Sequence, residues 1–143
     1  MNNSKVKSAI ILLGLIFLVL ISACGYQQTG ADIVDIPWQW TSLSENEPAS
    51  QSIVPNPENY TIIFNRDGSM NIQSDCNMVS GSFSVDGTSL TLVLGPSTLA
   101  FCGEESLDLM FNELLSSVES FTLENDKLIL NLENNSGKMT FDK

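Results

Sequence analysis

One stretch of the chain has the apolar spacing of an amphipathic helix. Between Glu104 and Val118, apolar side chains recur every three or four positions, at Leu107, Met110, Phe111, Leu114, Leu115 and Val118. Glu104, Glu105 and Asp108 occupy the expected first turn, where the helix dipole favours carboxylates. The pattern predicts a helix of about four turns over Glu104–Val118, with one apolar face that needs a sheet to pack against.

Most other apolar residues alternate with polar ones, as in β-strands with one buried face. The alternating sets are Ile36/Trp38/Trp40, Tyr60/Ile62/Phe64, Met70/Ile72, Val79/Gly81/Phe83/Val85, Leu90/Leu92/Leu94, Phe121/Leu123, Leu128/Leu130/Leu132 and Met139/Phe141. Asp86-Gly87 separates two of these runs and is the strongest hairpin signal in the chain. Because the strands are short and linked by hairpins, the sheet must be mainly antiparallel.

These elements predict an α+β domain. A strongly curved, mainly antiparallel sheet, in effect a partly open barrel, buries its apolar face around the single helix. Trp38 and Trp40 share a face with Ile36 and are expected in the core, although two neighbouring tryptophans can also form a platform that stacks on carbohydrate. The polar stretch Ser44–Asn59 contains three prolines and predicts a long surface loop, which is a candidate contact surface.

The N-terminus has the features of an export signal. Lys5 and Lys7 precede an apolar run from Ala9 to Ile21, too short to span a membrane comfortably, and small residues lead to Cys24. Ile-Ser-Ala-Cys at this point resembles the bacterial lipobox, whose cysteine is acylated and becomes the first residue of the mature chain. The alternative is an uncleaved anchor helix with an incidental cysteine.

The expected organisation is therefore a lipoprotein signal peptide over residues 1–23, a flexible tether over 24–35 and a folded domain over 36–143. The protein would be exported and held on the membrane, inner or outer, by lipid on Cys24 (palmitate among its acyl chains). The tether would reach roughly 20 Å. Removing residues 1–23 removes two lysines and no acid, so the formal net charge falls from −11 to −13. Such a surface repels phosphate backbones and argues against nucleic-acid binding.

The residue inventory argues against an enzyme. The chain contains no histidine, which excludes the usual general base and any Ser-His-Asp or Cys-His arrangement. No phosphate-binding glycine loop is present, and no cofactor is predicted. Outside the cytoplasm, Cys76 and Cys102 favour a disulfide; two buried free thiols are the alternative, and without histidine they make a poor zinc site. Composition leaves a catalytic carboxylate pair open, but Asp75 is expected to cap a turn.

Several landmarks resemble the META domain, the family of the heat-shock protein HslJ. They are Trp38-Gln39-Trp40, residues 55–60, Phe64 with Asp67-Gly68, Asp75-Cys76-Asn77, Gly81, Leu94-Gly95-Pro96, Thr98 with Cys102, and residues 128–132. The resemblance covers about residues 36–141 and implies an α+β domain, often exported and lipidated, with no known catalytic site or cofactor. Trp38, Asp75, Asn77 and Gly81 would be structural motif residues. The residue after Thr98 is basic in many relatives and is Leu99 here.

The resulting function hypothesis is a non-catalytic, lipid-anchored envelope protein, an interaction or stress-protection module that contacts an unidentified envelope protein. The family's associations with stress and antibiotic tolerance support the second of these roles. The alternative hypothesis is a carrier of a lipid or other apolar ligand within the curved sheet, in line with a similarity to pilot lipoproteins of secretion systems. An apolar cavity would favour the carrier, an exposed apolar patch the interaction module, and a cleft of convergent carboxylates an enzyme.

Overall fold

The alternating segments form nine β-strands in residues 29–143, the part of the chain that the computed structural model describes. Their bounds are β1 (Trp38–Asn46), β2 (Ala49–Ile53), β3 (Tyr60–Phe64), β4 (Ser69–Ser74), β5 (Asn77–Asp86), β6 (Ser89–Ser97), β7 (Val118–Glu124), β8 (Lys127–Leu132) and β9 (Gly137–Asp142). The one α-helix of this part of the chain, α1, spans Asp108–Ser116 between β6 and β7.

All strands except β2 close into an antiparallel barrel. From β3 onward each strand pairs with the next along the chain, and β1 pairs with both β3 and β9, which joins the two edges. The junction between β6 and β7 is the thinnest, with the single residue pair Ser89 and Ser120. A barrel of this strand number has an interior just wide enough to be filled by side chains. The predicted curved antiparallel sheet around one helix is confirmed, with a more complete closure than expected.

The helix is shorter than the sequence pattern predicts. It has 9 residues, and Glu104 and Glu105 lie in a turn before it while Val118 already belongs to β7. The predicted bounds Glu104–Val118 are therefore wrong at both ends. The first turn is missing because residues 98–107 are held by contacts outside the helix, and the last is missing because strand pairing begins at Val118.

The apolar face of the helix is also narrower than predicted. Phe111 and Leu115 are fully buried, Leu107 and Leu114 pack at the margin of the core, and Met110 is 46% exposed. Of these side chains, only those of Phe111 and Leu115 enter the barrel.

Aromatic rings fill the barrel beneath the helix. Trp38 and Trp40 are buried, as predicted, so neither can present a flat surface to a carbohydrate. The Phe111 ring stacks on that of Trp40 with centroids 5.1 Å apart and meets the rings of Tyr60 at 5.7 Å and Phe141 at 6.3 Å. Because these rings occupy the space under the helix, the helix closes this end of the barrel with its own side chains.

The barrel has two different ends. We call the end covered by α1 the helix end; Tyr60 at the start of β3 reaches it, since its hydroxyl accepts a hydrogen bond from the Leu107 amide at 3.0 Å. The opposite end, which we call the turn end, carries the connections β3–β4, β5–β6 and β7–β8.

The N-terminal part of the described chain packs across the turn end. Ile33 is fully buried, and its carbonyl accepts a hydrogen bond from the Trp38 indole at 2.9 Å. Val34 forms a parallel bridge to Phe64, whose carbonyl accepts from the Asp35 amide at 2.8 Å. The packed structure therefore begins before the predicted boundary at Ile36, and the end of the predicted tether belongs to the domain.

The predicted signal peptide and Cys24 lie outside the described residues, as do residues 25–28 of the predicted tether. Within residues 29–143, no helix is long and apolar enough to cross a membrane.

The predicted loop Ser44–Asn59 is wrong. Strand β1 continues to Asn46, and β2 returns along it with Ser42 paired to Ile53 and Asn46 paired to Ala49. Every side chain of β2 is exposed, so the pairing rests on the backbone and leaves no apolar alternation in the sequence.

Candidate functional site

A disulfide joins two segments at the helix end. Cys76, in the turn between β4 and β5, is bonded to Cys102, in the segment between β6 and α1, with an S–S distance of 2.00 Å. The predicted pairing is confirmed, and neither cysteine is available as a thiolate for metal binding or nucleophilic attack. Among residues 29–143, no group of three or more His, Cys, Asp or Glu side chains is placed to hold a metal ion.

We expect the double variant Cys76→Ser/Cys102→Ser to lose about 3 kcal/mol of unfolding free energy, because the bridge closes a loop with a sequence separation of 26 and restricts the unfolded chain. Urea unfolding of both proteins under oxidising conditions measures this. Ser52→Ala on the exposed β2 is the control and should change stability by less than about 0.5 kcal/mol. An unchanged midpoint in the cysteine variant would contradict the prediction.

Asn77 is the centre of the polar contacts at this end. Its side chain is 2% exposed and its oxygen accepts hydrogen bonds from the Thr98 hydroxyl at 3.0 Å and the Ala100 amide at 2.8 Å. Its nitrogen donates to the Ala100 carbonyl at 3.0 Å and to the Asp108 carboxylate at 2.7 Å, and lies 3.3 Å from the Cys102 sulfur. One side chain thus fixes the segment that follows β6 and the first residue of α1.

Further polar contacts hold the start of α1 on the barrel. The fully buried Ser74 donates from its hydroxyl to the Asp108 carbonyl at 3.1 Å and accepts from the Asn112 side chain at 3.1 Å. The Asn112 side-chain oxygen is buried without a hydrogen-bond partner in residues 29–143. Together with the Tyr60–Leu107 hydrogen bond, these contacts determine where the helix begins.

The other motif residues have structural roles in the barrel. Asp75 adopts the left-handed conformation, with φ of 56°, in the β4–β5 turn, and its amide donates to the Asn59 carbonyl at 2.8 Å. Gly81 lies where β5 and β6 cross closely: an added Cβ would come 2.5 Å from the Val93 carbonyl oxygen. Only glycine fits there without moving backbone.

Large apolar side chains are exposed around these contacts. Leu99 is 94% exposed, Phe101 84% and Leu109 81%, while Met78 and Met110 are about half exposed. Each is adjacent in sequence to a residue of the Asn77 contacts or to another member of the set. We call these five residues, Met78, Leu99, Phe101, Leu109 and Met110, the helix-end patch. Exposed apolar groups on this scale are typical of binding surfaces.

Depressions lie beside both ends of the barrel. One at the helix end, with a volume of about 390 Å³, has Asp75, Glu104 and Glu105 among its lining residues. One at the turn end, with a volume of about 520 Å³, is lined by apolar and glycine residues, Val34, Phe83 and Val85 among them, and by the polar Asn65, Arg66 and Ser84. Both are open to solvent and lie outside the ring-filled interior.

Two carboxylates at the turn end, those of Asp67 and Asp126, have lowered pKa values. Hydrogen bonds from the Ser69 hydroxyl and amide lower the pKa of Asp67, and Lys143 lowers that of Asp126 by a hydrogen bond and by its charge. Since folding lowers these pKa values, their small stabilising contribution is present above the unfolded-state pKa and is lost as pH falls through the folded-state value. Both carboxylates are fully exposed, so neither resembles a catalytic acid, whose pKa would be raised.

Sequence reasoning identified the disulfide and Asn77 but missed the patch. Leu109 gave a usable signal, since it is apolar yet falls off the predicted apolar face of the helix.

Comparison with known proteins gives a family and a fold. The family model of the META domain matches residues 31–143. No curated protein matches the chain significantly. Among solved structures, a protein from Burkholderia xenovorans has a TM-score of 0.63 at 18% identity, covering 78% of this chain and 83% of its own. A DUF4847 family protein from Bacteroides vulgatus has a TM-score of 0.59 at 12% identity, covering 77% of this chain and 93% of its own. These similarities concern the fold alone.

Proposed function

Because the chain belongs to the META domain family, we propose that it is a non-catalytic, lipid-anchored protein of the cell envelope, an interaction or stress-protection module whose contact surface is the helix-end patch. The observation that carries the proposal is the exposure of Leu99, Phe101 and Leu109, three large apolar side chains in one region. Leaving such side chains in water forgoes roughly 1.5–3 kcal/mol each relative to burial, which a bound partner would recover.

The patch is held rigidly, which favours binding. Phe101 lies between Ala100, which is hydrogen-bonded to the Asn77 side chain, and Cys102, which is joined to Cys76 by the disulfide. Leu109 follows Asp108, which is bonded to the same asparagine. A segment fixed before binding loses less conformational entropy when a partner arrives, so more of the contact energy contributes to affinity.

The polar residues near the patch support a non-catalytic role. The nearby depression contains three carboxylates, the arrangement expected of a hydrolase with paired acids, but Glu104 and Glu105 are exposed beside an open surface. A general acid of that kind sits in an apolar pocket that raises its pKa. The cysteines are joined, and the chain has no histidine. Turnover of a glycan or ester that is lost in Asp75→Ala would contradict this part of the proposal.

Site-specific photo-crosslinking tests the contact surface. A photoreactive amino acid is placed at Phe101 or Leu109 in the full chain, in living cells. We expect a crosslinked product of discrete mass from both positions. The same probe at Ile53, which is 83% exposed on β2, is the matched control and should give no product. Products of equal yield from all three positions, or from Ile53 alone, would contradict the assignment.

Lipid attachment is tested by mass spectrometry of the mature protein. We expect an N-terminal Cys24 carrying acyl chains, because the sequence before it has the order of a lipoprotein signal. The Cys24→Ser variant should lose both the acyl mass and membrane association. Recovery of an intact chain that still carries residues 1–23 would contradict the prediction.

A second candidate function is a carrier of an apolar ligand, favoured by the turn-end depression. Its volume of about 520 Å³ and its apolar lining by Val34, Phe83 and Val85 suit a single acyl chain. The ligand would then lie on the rim of the barrel and not in its centre, which aromatic rings occupy. A solvent extract of the mature chain carrying Cys24→Ser should contain fatty acid near equimolar amounts if the carrier is correct. A clean extract would leave the interaction module alone.

A further inference from the structure

Acidic side chains lie close in sequence to the residues of the helix-end patch. Glu104 and Glu105 lie between Phe101 and Leu109, in the turn before α1. Glu113 is exposed on the helix, and Asp75 lies beside Cys76. The basic residues of the described chain are Arg66, Lys127, Lys138 and Lys143. None of them falls in residues 98–116, which contribute most of the patch.

Most of these basic residues are already paired elsewhere. Arg66 forms an ion pair with Asp35, Lys127 one with Asp142 at 2.6 Å, and Lys143 one with Asp126 at 2.8 Å; all three pairs lie at the turn end. Lys138, on β9, lines a separate depression with Glu119 and Asn131. Among residues 29–143, none of the ion pairs involves Glu104 or Glu105.

This charge distribution excludes two occupants of the patch. A second copy would place carboxylates against carboxylates, and juxtaposed like charges disfavour an interface. An anionic lipid surface would be repelled in the same way, since the mature chain has a formal net charge of −13 once the two lysines before Cys24 are removed.

We propose that the helix-end patch binds a protein surface with an apolar centre and a basic rim. This inference rests on the proposed interaction function and names the class of partner. The partner's apolar side chains cover Leu99, Phe101 and Leu109, and a lysine or arginine enters the depression of about 390 Å³ that Asp75, Glu104 and Glu105 line. The apolar contact supplies most of the affinity, while the charges select the partner and speed association.

The test uses two amphipathic helical peptides with the same apolar face, one with lysines and one with glutamates on the polar face. Binding to the mature chain carrying Cys24→Ser is followed by fluorescence anisotropy. We expect saturable binding of the lysine peptide, weakened by added salt, and binding of the glutamate peptide at least about tenfold weaker. Glu104→Lys/Glu105→Lys should remove or reverse this preference.

The control for net charge is Asp86→Lys/Glu124→Lys, which changes the total charge equally but at exposed turn-end positions. It should keep the preference for the lysine peptide. If this control loses the preference as fully as the Glu104/Glu105 variant, or if neither peptide binds, the inference is wrong.

Phe101→Ser separates this inference from the proposed function. The parent chain could bind both peptides equally well, and Phe101→Ser could weaken the binding of both about tenfold. That result would overturn the basic partner and retain the patch as the contact surface. A variant that binds the lysine peptide as tightly as the parent would overturn both. Unfolding midpoints of all variants confirm that the exposed substitutions leave the fold intact.

Discussion

We expect Phe111→Ala to lower the unfolding free energy by roughly 3–5 kcal/mol, the largest loss among the substitutions considered. The ring is fully buried, stacks on Trp40 and contacts Tyr60 and Phe141. Removing it leaves a cavity that three neighbouring rings, each held by the barrel, cannot fill by moving. Domains of this size are stable by about 5–15 kcal/mol, so the variant should approach the limit of folding.

Urea unfolding followed by tryptophan fluorescence measures this loss. Leu109→Ala is the matched control, because it shortens an apolar side chain two positions away on the same helix where the chain is 81% exposed. It should change stability by less than about 0.5 kcal/mol. Equal effects of the two substitutions would mean that the helix is not held by Phe111.

The second large effect is expected for Asn77→Ala, a loss of roughly 2–3 kcal/mol. The substitution removes the hydrogen bonds of the buried Asn77 side chain to Thr98, Ala100 and Asp108, and leaves the Asp108 carboxylate without this partner in a partly buried place. Asn131→Ala is the control, since that partly buried side chain donates a single hydrogen bond, to Ser120 at 3.1 Å, and should lose about 1 kcal/mol. Limited proteolysis within residues 98–107 should accelerate only in Asn77→Ala.

Asn77→Asp gives the same contacts a distinct pH dependence. The new carboxylate would lie next to that of Asp108, at the 2.7 Å separation now spanned by a hydrogen bond, so the two acids would share a proton. Their folded-state pKa would rise above the unfolded value. The variant should therefore be most stable at low pH and lose stability as pH rises through the folded-state pKa. An unchanged pH profile would contradict the described position of Asp108.

The barrel was predictable because its strands bury one face. Trp38 and Trp40, or Ile62 and Phe64, lie two residues apart, and that spacing has one structural meaning when it recurs between turn residues. β2 was not predictable in this way. Its side chains are all exposed, so its pairing with β1 depends on backbone hydrogen bonds that leave no mark on the pattern.

The helix bounds failed for a related reason. Val118 continues the helical spacing of Phe111 and Leu115, and it also begins the alternation of β7, so the sequence alone supports both assignments. The helix start depends on Tyr60, Ser74 and Asn77, which lie more than thirty positions earlier in the chain than their partners in and around α1. Local pattern cannot contain such information.

The candidate site was predictable only in part. In a chain that is predicted to be exported, the two remaining cysteines indicate a disulfide, and Asn77 stood beside one of them in a recognisable motif. The helix-end patch was missed because an exposed apolar residue looks like a core residue until the fold shows which way it points.

The packing of Ile33 and Val34 on the turn end determines how the domain would stand on a membrane. If Cys24 carries lipid, the chain between it and Thr29 can extend at most about 18 Å, since a fully extended chain spans about 3.5 Å per residue. The turn end would then face the bilayer at short range. The barrel wall rises about 25 Å from there, given that β5 has 10 residues and that strands of such a barrel are tilted by roughly 40° from its axis. Leu99, Phe101 and Leu109 would form the outermost surface, within reach of proteins that never touch the lipid.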